Sequence, residues 1–222
     1  MEKEITQSNK TIHMERLSSM KIRFLYKLML FRIFNNYSPQ DVAYLLGKKL
    51  NYFVEIEELK SLDKRMNEII NSIFKLGRIC AVDMFPVDIF DDIEFLLCKM
   101  TKSVDNDGIR YQMECITHST ILFILKDSLP LSDNFLKIES NDNLNIRKLI
   151  KELIESGYFS EKREPYQVHK KCEESLNYRP RPMYLYGIMN EFTKLNNGPK
   201  LIYKYDKEDN YYYRHYYILE KK

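Results

Sequence analysis

Apolar residues recur every three or four positions through residues 18–76 of the chain. This spacing is typical of amphipathic helices and predicts four of them in succession. Ser38 is a good N-cap, and Pro39 after it suits the first position of a helix. Gly47 suits the end of that same helix. The predicted helices begin near Ser18, Ser38, Tyr52 and Leu62.

The pattern changes to alternation over residues 92–127, which predicts a three-stranded antiparallel meander. The Asp107–Gly108 pair is a strong signal for the turn between its first two strands. A turn centred near Asn106 would make Cys98 and Cys115 close neighbours across these strands. In a reducing compartment we expect both thiols to stay free.

Helical spacing returns at residues 146–154, and two further helices are predicted to begin at Pro165 and Pro182. Two alternating segments with five tyrosines in the second, residues 201–205 and 211–219, then predict a β-hairpin. Three helices followed by a hairpin resemble the winged-helix fold.

The sequence therefore predicts an α+β protein in which a helix-turn-helix bundle and a short antiparallel β-meander precede a winged-helix-like unit. A polar stretch at residues 140–143 marks the expected boundary before that unit. The predicted parts are a flexible arm over residues 1–17, a helical domain over 18–79, a meander over 80–139 and a winged-helix-like domain over 140–222.

The composition, 44% hydrophobic and 30% charged, is that of a folded globular protein. The longest apolar run, residues 121–125, is far below the roughly 20 residues that a membrane helix needs. With no secretory signal at the start, we expect a cytoplasmic protein without a membrane partner. The four cysteines lack metal-ligand spacing, and no cofactor motif is found, so we expect no cofactor.

Charge is unevenly distributed along the chain, although the net charge is only +3. Residues 1–50 carry nine basic and four acidic side chains, residues 51–144 ten and seventeen, and residues 145–222 sixteen and eleven. Two basic ends around an acidic centre favour two surfaces that face phosphate. The acidic centre would then serve as the surface for a homodimer or a protein partner.

The segment over residues 18–76 carries a set of residues with the spacing of a known motif: Ser38, Val42, Ala43, Leu46, Gly47, Phe53, Ile56 and Glu57. With these residues it resembles the lambda-repressor-like (Cro/cI or XRE-type) helix-turn-helix family. In that family the second helix of the motif enters the major groove of DNA. The chain departs from the family pattern directly after the glycine, where Lys48 and Lys49 replace an aliphatic residue and a Ser or Thr cap.

These resemblances imply a non-catalytic protein that binds double-stranded DNA, most simply a transcriptional regulator. The expected contacts from the helix-turn-helix are Lys48, Lys49, Asn51 and Tyr52. The expected contacts from the winged-helix-like unit, where arginine can pair with phosphate or base edges, are Arg179, Arg181, Tyr184, Lys194, Lys204 and Arg214.

Two other interpretations are open from the sequence. The first is an adaptor or antitoxin-like module that binds proteins and whose helix-turn-helix has lost its groove contacts. The second is a metal-dependent nuclease that holds Mg²⁺ through the acidic cluster of Asp88, Asp91, Asp92 and Glu94. The sequence contains no phosphate-binding loop, dinucleotide fingerprint or nucleophile elbow that would name another reaction.

Overall fold

The mixed α+β class predicted from the sequence is confirmed by a computed structural model of the chain. The structure describes residues 9–60, 95–105, 107–128, 133–196, 198–209 and 212–220. The chain forms two compact units, and each is built from two separate stretches of sequence. The first unit comprises Met1–Asn36 and Val54–Pro130, and the second comprises Tyr37–Phe53 and Leu131–Lys222.

The first unit is an antiparallel sheet with the strand order β1-β2-β3-β4 and a helix, α1, packed on one face. Tyr26 of the helix lies against Phe123 of the fourth strand, with 5.3 Å between the ring centres. The Ser18 side chain caps the helix by accepting a hydrogen bond from the amide of Lys21. The elements are β1 (Asn9–Ser18), α1 (Ser19–Phe34), β2 (Phe95–Asp105), β3 (Gly108–Cys115) and β4 (Thr120–Asp127).

The predicted meander is confirmed, and so is its register, because Cys98 lies directly opposite Cys115. Gly108 ends the turn before β3 with a φ of +140°, and a Cβ there would come within 2.3 Å of the Asp127 carbonyl oxygen. Only glycine fits this position. The flexible arm predicted for residues 1–17 is wrong for residues 9–17, which belong to β1 and pair with β2.

The second unit consists of helices and a two-stranded hairpin around one apolar core. Its elements are α2 (Pro39–Leu45), α4 (Asp133–Glu155), a 3-10 turn (Tyr158–Ser160), α5 (Pro165–Leu176), α6 (Pro182–Thr193), β5 (Leu201–Asp209) and β6 (Tyr212–Leu219). The fully buried core includes Tyr44, Ile146, Ile150, Phe159, Val168, Cys172, Leu185, Met189, Leu201 and Tyr217.

Most predicted helix starts agree with the structure, including those at Pro165 and Pro182. The polar residues 140–143, predicted as a boundary, lie inside α4. The remaining helix of the described chain, α3 (Tyr52–Glu57), is only six residues long and spans the limit between the two units. The packing of α2 with α3 as a helix-turn-helix, and of α4 to β6 as a winged helix, stays a prediction. The predicted helix at residues 62–74 lies outside the described residues.

Candidate functional site at the start of helix α6

The first turn of α2 is closed by a reciprocal capping box between Ser38 and Asp41. The Ser38 hydroxyl accepts a hydrogen bond from the Asp41 amide at 3.1 Å, and Asp41 Oδ2 accepts one from the Ser38 amide at 2.8 Å. The start of a helix leaves its first backbone amides without hydrogen-bond partners, and the capping box supplies acceptors for two of them. The box also fixes the orientation of the Asp41 carboxylate.

The same carboxylate reaches the start of α6. Its Oδ1 accepts a hydrogen bond from the Met183 amide at 2.8 Å, and its Oδ2 lies 3.4 Å from Nε of Arg181. Arg181 is the N-cap residue of α6, and its own side chain makes no capping hydrogen bond there. Asp41 therefore supplies the cap for α6 from a helix that lies about 140 residues earlier in the chain.

The site is electrostatically favourable because a helix start carries partial positive charge. Backbone amides at such a position often bind a phosphate or another anion. Here a fully buried carboxylate holds that place and also pairs with a guanidinium. The start of α6 is thus already neutralised by the protein's own anion.

Gly47, expected to close the helix-turn-helix, contacts the backbone of β6. Its carbonyl oxygen accepts hydrogen bonds from the His215 amide at 3.0 Å and from His215 Nδ1 at 2.8 Å. A carbonyl can only accept, so Nδ1 carries the ring proton. A Cβ on Gly47 would meet the His215 backbone nitrogen and oxygen at 3.0 Å, and the φ of +64° is also unfavourable for other residues.

Tyr44, in the middle of α2, belongs to the core of the second unit and makes an edge contact with Tyr186 of α6. Burial, together with the nearby Tyr217, raises the pKa of the Tyr44 hydroxyl well above its usual value. Tyr44, Asp41 and Gly47 thus anchor the predicted first helix of the motif to α6 and to the hairpin.

The residues predicted to contact DNA are differently placed. Lys48 is only 6% exposed, with its ammonium 5.9 Å from the centre of the Tyr52 ring. Arg179 pairs with Glu173 at 3.2 Å. The predicted residues with exposed side chains in the described part are Lys49, Asn51, Arg179, Lys194 and Lys204.

Arg181 and Tyr184 are brought together, with the guanidinium 5.7 Å from the ring centre. Lys194 caps the opposite end of α6, about 18 Å away at 1.5 Å per residue. Arg214 lies in β6 opposite Asp206. Of the predicted contacts, Arg181 and Tyr184 therefore lie together at the start of α6, and Lys194 lies at its other end.

No known protein family, curated protein or solved structure matches this chain. The described residues contain no group of three or more His, Cys, Asp or Glu side chains placed to hold a metal ion. The acidic cluster considered for a nuclease, residues 88–94, lies outside the described part. Within that part, no helix is both long and apolar enough to cross a membrane.

Sequence reasoning missed the long-range role of Asp41, although the Ser38-x-x-Asp41 spacing signals a capping box. It also missed a buried ion network in the first unit. Arg32 Nε donates to Glu57 Oε1 at 2.6 Å, and Arg32 Nη1 donates to Asp127 Oδ2 at 2.6 Å. Arg32 Nη2 lies 3.4 Å from the hydroxyl of Tyr111.

The groups of this network change one another's pKa values. Burial lowers the pKa of Arg32, but Glu57, Tyr111 and Asp127 together raise it above its ordinary value. Burial raises the pKa of Glu57, against the opposing effect of Arg32. Glu57, one of the residues that carry the family resemblance, therefore holds an internal cation.

Proposed function

We propose that this chain is a non-catalytic protein–protein interaction module rather than a DNA-binding regulator. The observation that carries this proposal is the Asp41 carboxylate at the start of α6, where a helix that reads DNA would present its amides to a phosphate. A duplex bound there would bring its phosphates against a buried carboxylate. That approach costs affinity, because nucleic-acid binding depends on the neutralisation of phosphates by cations.

The cationic side chains at the proposed DNA interface support the same conclusion. Arg181 and Arg179 are each paired with a carboxylate of the second unit. The Lys48 ammonium lies near the ring of Tyr52, and little of the Lys48 side chain reaches the surface. A protein partner, unlike DNA, does not require that these charges be available.

A DNA-binding regulator is the second candidate, because Lys49, Lys194 and Lys204 have exposed side chains. A salt titration separates the two candidates. Fluorescence anisotropy of a labelled random-sequence duplex would be recorded with the full chain from about 50 to 200 mM salt. A known non-specific DNA-binding protein would serve as the positive control.

For an interaction module we expect no saturable binding even at the lowest salt. A regulator would bind with an affinity that falls by about one log unit per log of salt for each phosphate it neutralises. If such a slope is found, and if it decreases in Lys194→Gln with Lys204→Gln, the interaction-module proposal is wrong.

A further inference from the structure

In the first unit, α1 packs on one face of the sheet. We call the other face, which points away from α1, the open face. Four large aliphatic side chains are exposed on its two edge strands, two on β1 and two on β4. Ile12, Met14, Ile121 and Ile124 are 51%, 57%, 54% and 45% exposed. The register shows that they share the face, because Met14 pairs with Lys99, Lys99 with Glu114, and Glu114 with Ile121.

The next row across the sheet begins at Ile12 on β1, continues through Thr101 and Gln112, and ends at Ile124 on β4. With about 4.8 Å between neighbouring strands, the two apolar pairs stand about 14 Å apart. Between them the open face is polar, and Lys99 and Glu114 form an ion pair there. The face therefore combines two apolar edges with a hydrogen-bonding centre.

The open face carries a net positive charge. A third row across the strands places Lys10, Arg110 and Lys126 side by side with Ser103. Arg16 and Lys99 add two more cations. The carboxylates on this side of the sheet are those of Glu114, of Asp105 at the end of β2, and of Asp107, which lies 3.6 Å from the Lys126 ammonium. The described face therefore has five positive and three negative charges. This sign is opposite to that of the acidic central sequence.

The charge and the apolar side chains of the open face indicate which kind of partner it can bind. Two copies of the chain meeting through this face would oppose like charges, which is unfavourable. Single-stranded nucleic acid binds protein surfaces chiefly by stacking its bases on aromatic rings. The apolar side chains beside the cationic row are aliphatic. The exposed ring of Phe95 lies at the far end of β2, with the Lys21 ammonium 5.9 Å from its centre, so a single ring there gives no stacking platform along the row. Aliphatic edges with a cationic row are complementary to a segment that carries both aliphatic and acidic side chains.

We propose that the open face binds an acidic amphipathic helix of a partner protein, laid across the strands. About nine residues of such a helix span the distance between the two apolar pairs. Its aliphatic side chains contact Ile12 and Ile124, and its carboxylates lie against Lys10 and Arg110. This inference rests on the proposed interaction function and names the chemistry of the partner.

The test uses the full chain and a fluorescein-labelled synthetic helix of about 18 residues, with leucines on one face and glutamates flanking them. A control peptide carries lysine in place of every glutamate. Two variants change the open face, Ile12→Thr with Ile124→Thr and Lys10→Gln with Arg110→Gln. A matched variant, Lys148→Gln with Lys170→Gln, removes two exposed cations of the second unit.

We expect saturable binding of the acidic peptide and about tenfold weaker binding to each open-face variant. The matched variant should bind within about twofold of the unaltered chain. Far-ultraviolet circular dichroism checks that all three variants fold. Because the altered side chains are exposed, we expect unchanged spectra.

Besides a failure of the acidic peptide to bind, three results would overturn the inference. They are equal affinity for the acidic and basic peptides, equal affinity of all variants, and a dimer in light scattering that the open-face variants abolish. If the peptide does not bind while the duplex titration stays flat, this inference fails and the interaction function stands. A salt-dependent duplex titration instead contradicts the interaction function itself.

Discussion

Asp41 accepts a hydrogen bond at 2.8 Å from the backbone amide of Met183, 142 residues further along the chain. The same carboxylate closes the first turn of α2 through Ser38. One buried anion therefore caps two helices of the second unit. Its loss should affect both the stability of the unit and the charge at the start of α6.

We expect Asp41→Ala to lower the free energy of unfolding by about 3 kcal/mol, because a cap and charge-assisted hydrogen bonds are lost together. Asp41→Asn retains acceptors but loses the charge, so its effect should be smaller. Urea denaturation followed by circular dichroism measures both. Glu152→Ala, at an exposed position of α4, should change stability by less than about 0.5 kcal/mol. Equal effects of Asp41→Ala and Glu152→Ala would show that the carboxylate contributes nothing.

Three glycines make a graded test of the contact between Gly47 and β6. Gly47→Ala should cost about 2–4 kcal/mol, because it adds a clash with the His215 backbone to an unfavourable φ. Gly157→Ala should cost only about 1 kcal/mol, since its φ is +78° but nothing lies within 4 Å of the added Cβ. Gly187→Ala, within α6 and also in open space, should be neutral or stabilising by up to about 1 kcal/mol. Thermal melts of the three variants should keep this order, and a harmless Gly47→Ala would refute the contact.

Removing one partner of the buried ion network should strongly destabilise the first unit. Arg32→Met leaves Glu57 buried without its cation, and we expect a loss of about 3–5 kcal/mol. The double variant Arg32→Met with Glu57→Gln removes the uncompensated charge as well, so it should be more stable than the single variant. Denaturation of both proteins and of Glu57→Gln completes the cycle. A double variant less stable than Arg32→Met would contradict this electrostatic explanation.

The stability of the first unit should also depend on pH through Glu57. Burial raises the pKa of this carboxyl above 4.5, so the folded protein binds this proton more tightly than the unfolded chain does. The resulting stabilisation is complete below the unfolded pKa and is lost as pH rises through the raised folded pKa. The unaltered chain should therefore lose stability relative to Glu57→Gln as pH increases from about 4.5. Urea denaturation of both proteins between about pH 4 and 7 measures the difference, and a constant difference would show that the Glu57 pKa is not raised.

Buried thiols should react slowly in the folded protein. Burial raises the pKa of Cys98 to about 11 and that of Cys172 to about 12, against an ordinary value of 9.0. At pH 8 this lowers the thiolate fraction by about a hundredfold or more. Alkylation with iodoacetamide, resolved by peptide mass spectrometry, should be slow at both residues and fast after unfolding in guanidinium. Rapid labelling of Cys98 in the folded chain would contradict its burial.

Local signals in the sequence were sufficient for most helices and for the meander. Ser38–Pro39 and Pro182 fix helix starts through the geometry of the first turn, and Asp107–Gly108 fixes a tight turn. Once that turn is placed, antiparallel pairing alone puts Cys98 opposite Cys115. These features depend only on residues near one another in the chain.

The remainder depends on contacts between distant residues, which no local pattern encodes. β1 escaped prediction because its apolar Ile12 and Met14 lie on the exposed face, while polar His13 and Glu15 face the helix side. Asp41 has the spacing of a local cap, but nothing near it in sequence indicates Met183. The sequence does not distinguish the buried Lys48 from the exposed lysines, because burial is decided by tertiary packing.

The most direct test of the central claim follows the Met183 amide and the Arg181 Nε–H by nuclear magnetic resonance while duplex DNA is added to the full chain. Because Asp41 is the hydrogen-bond acceptor for both groups, we expect the chemical shifts of both to stay unchanged. This should hold even at DNA concentrations at which exposed lysines bind phosphates by exchanging counterions. A saturable shift of both signals, with the carboxylate of Asp41 displaced, would show that the start of α6 binds phosphate and that the chain is a DNA-binding protein after all.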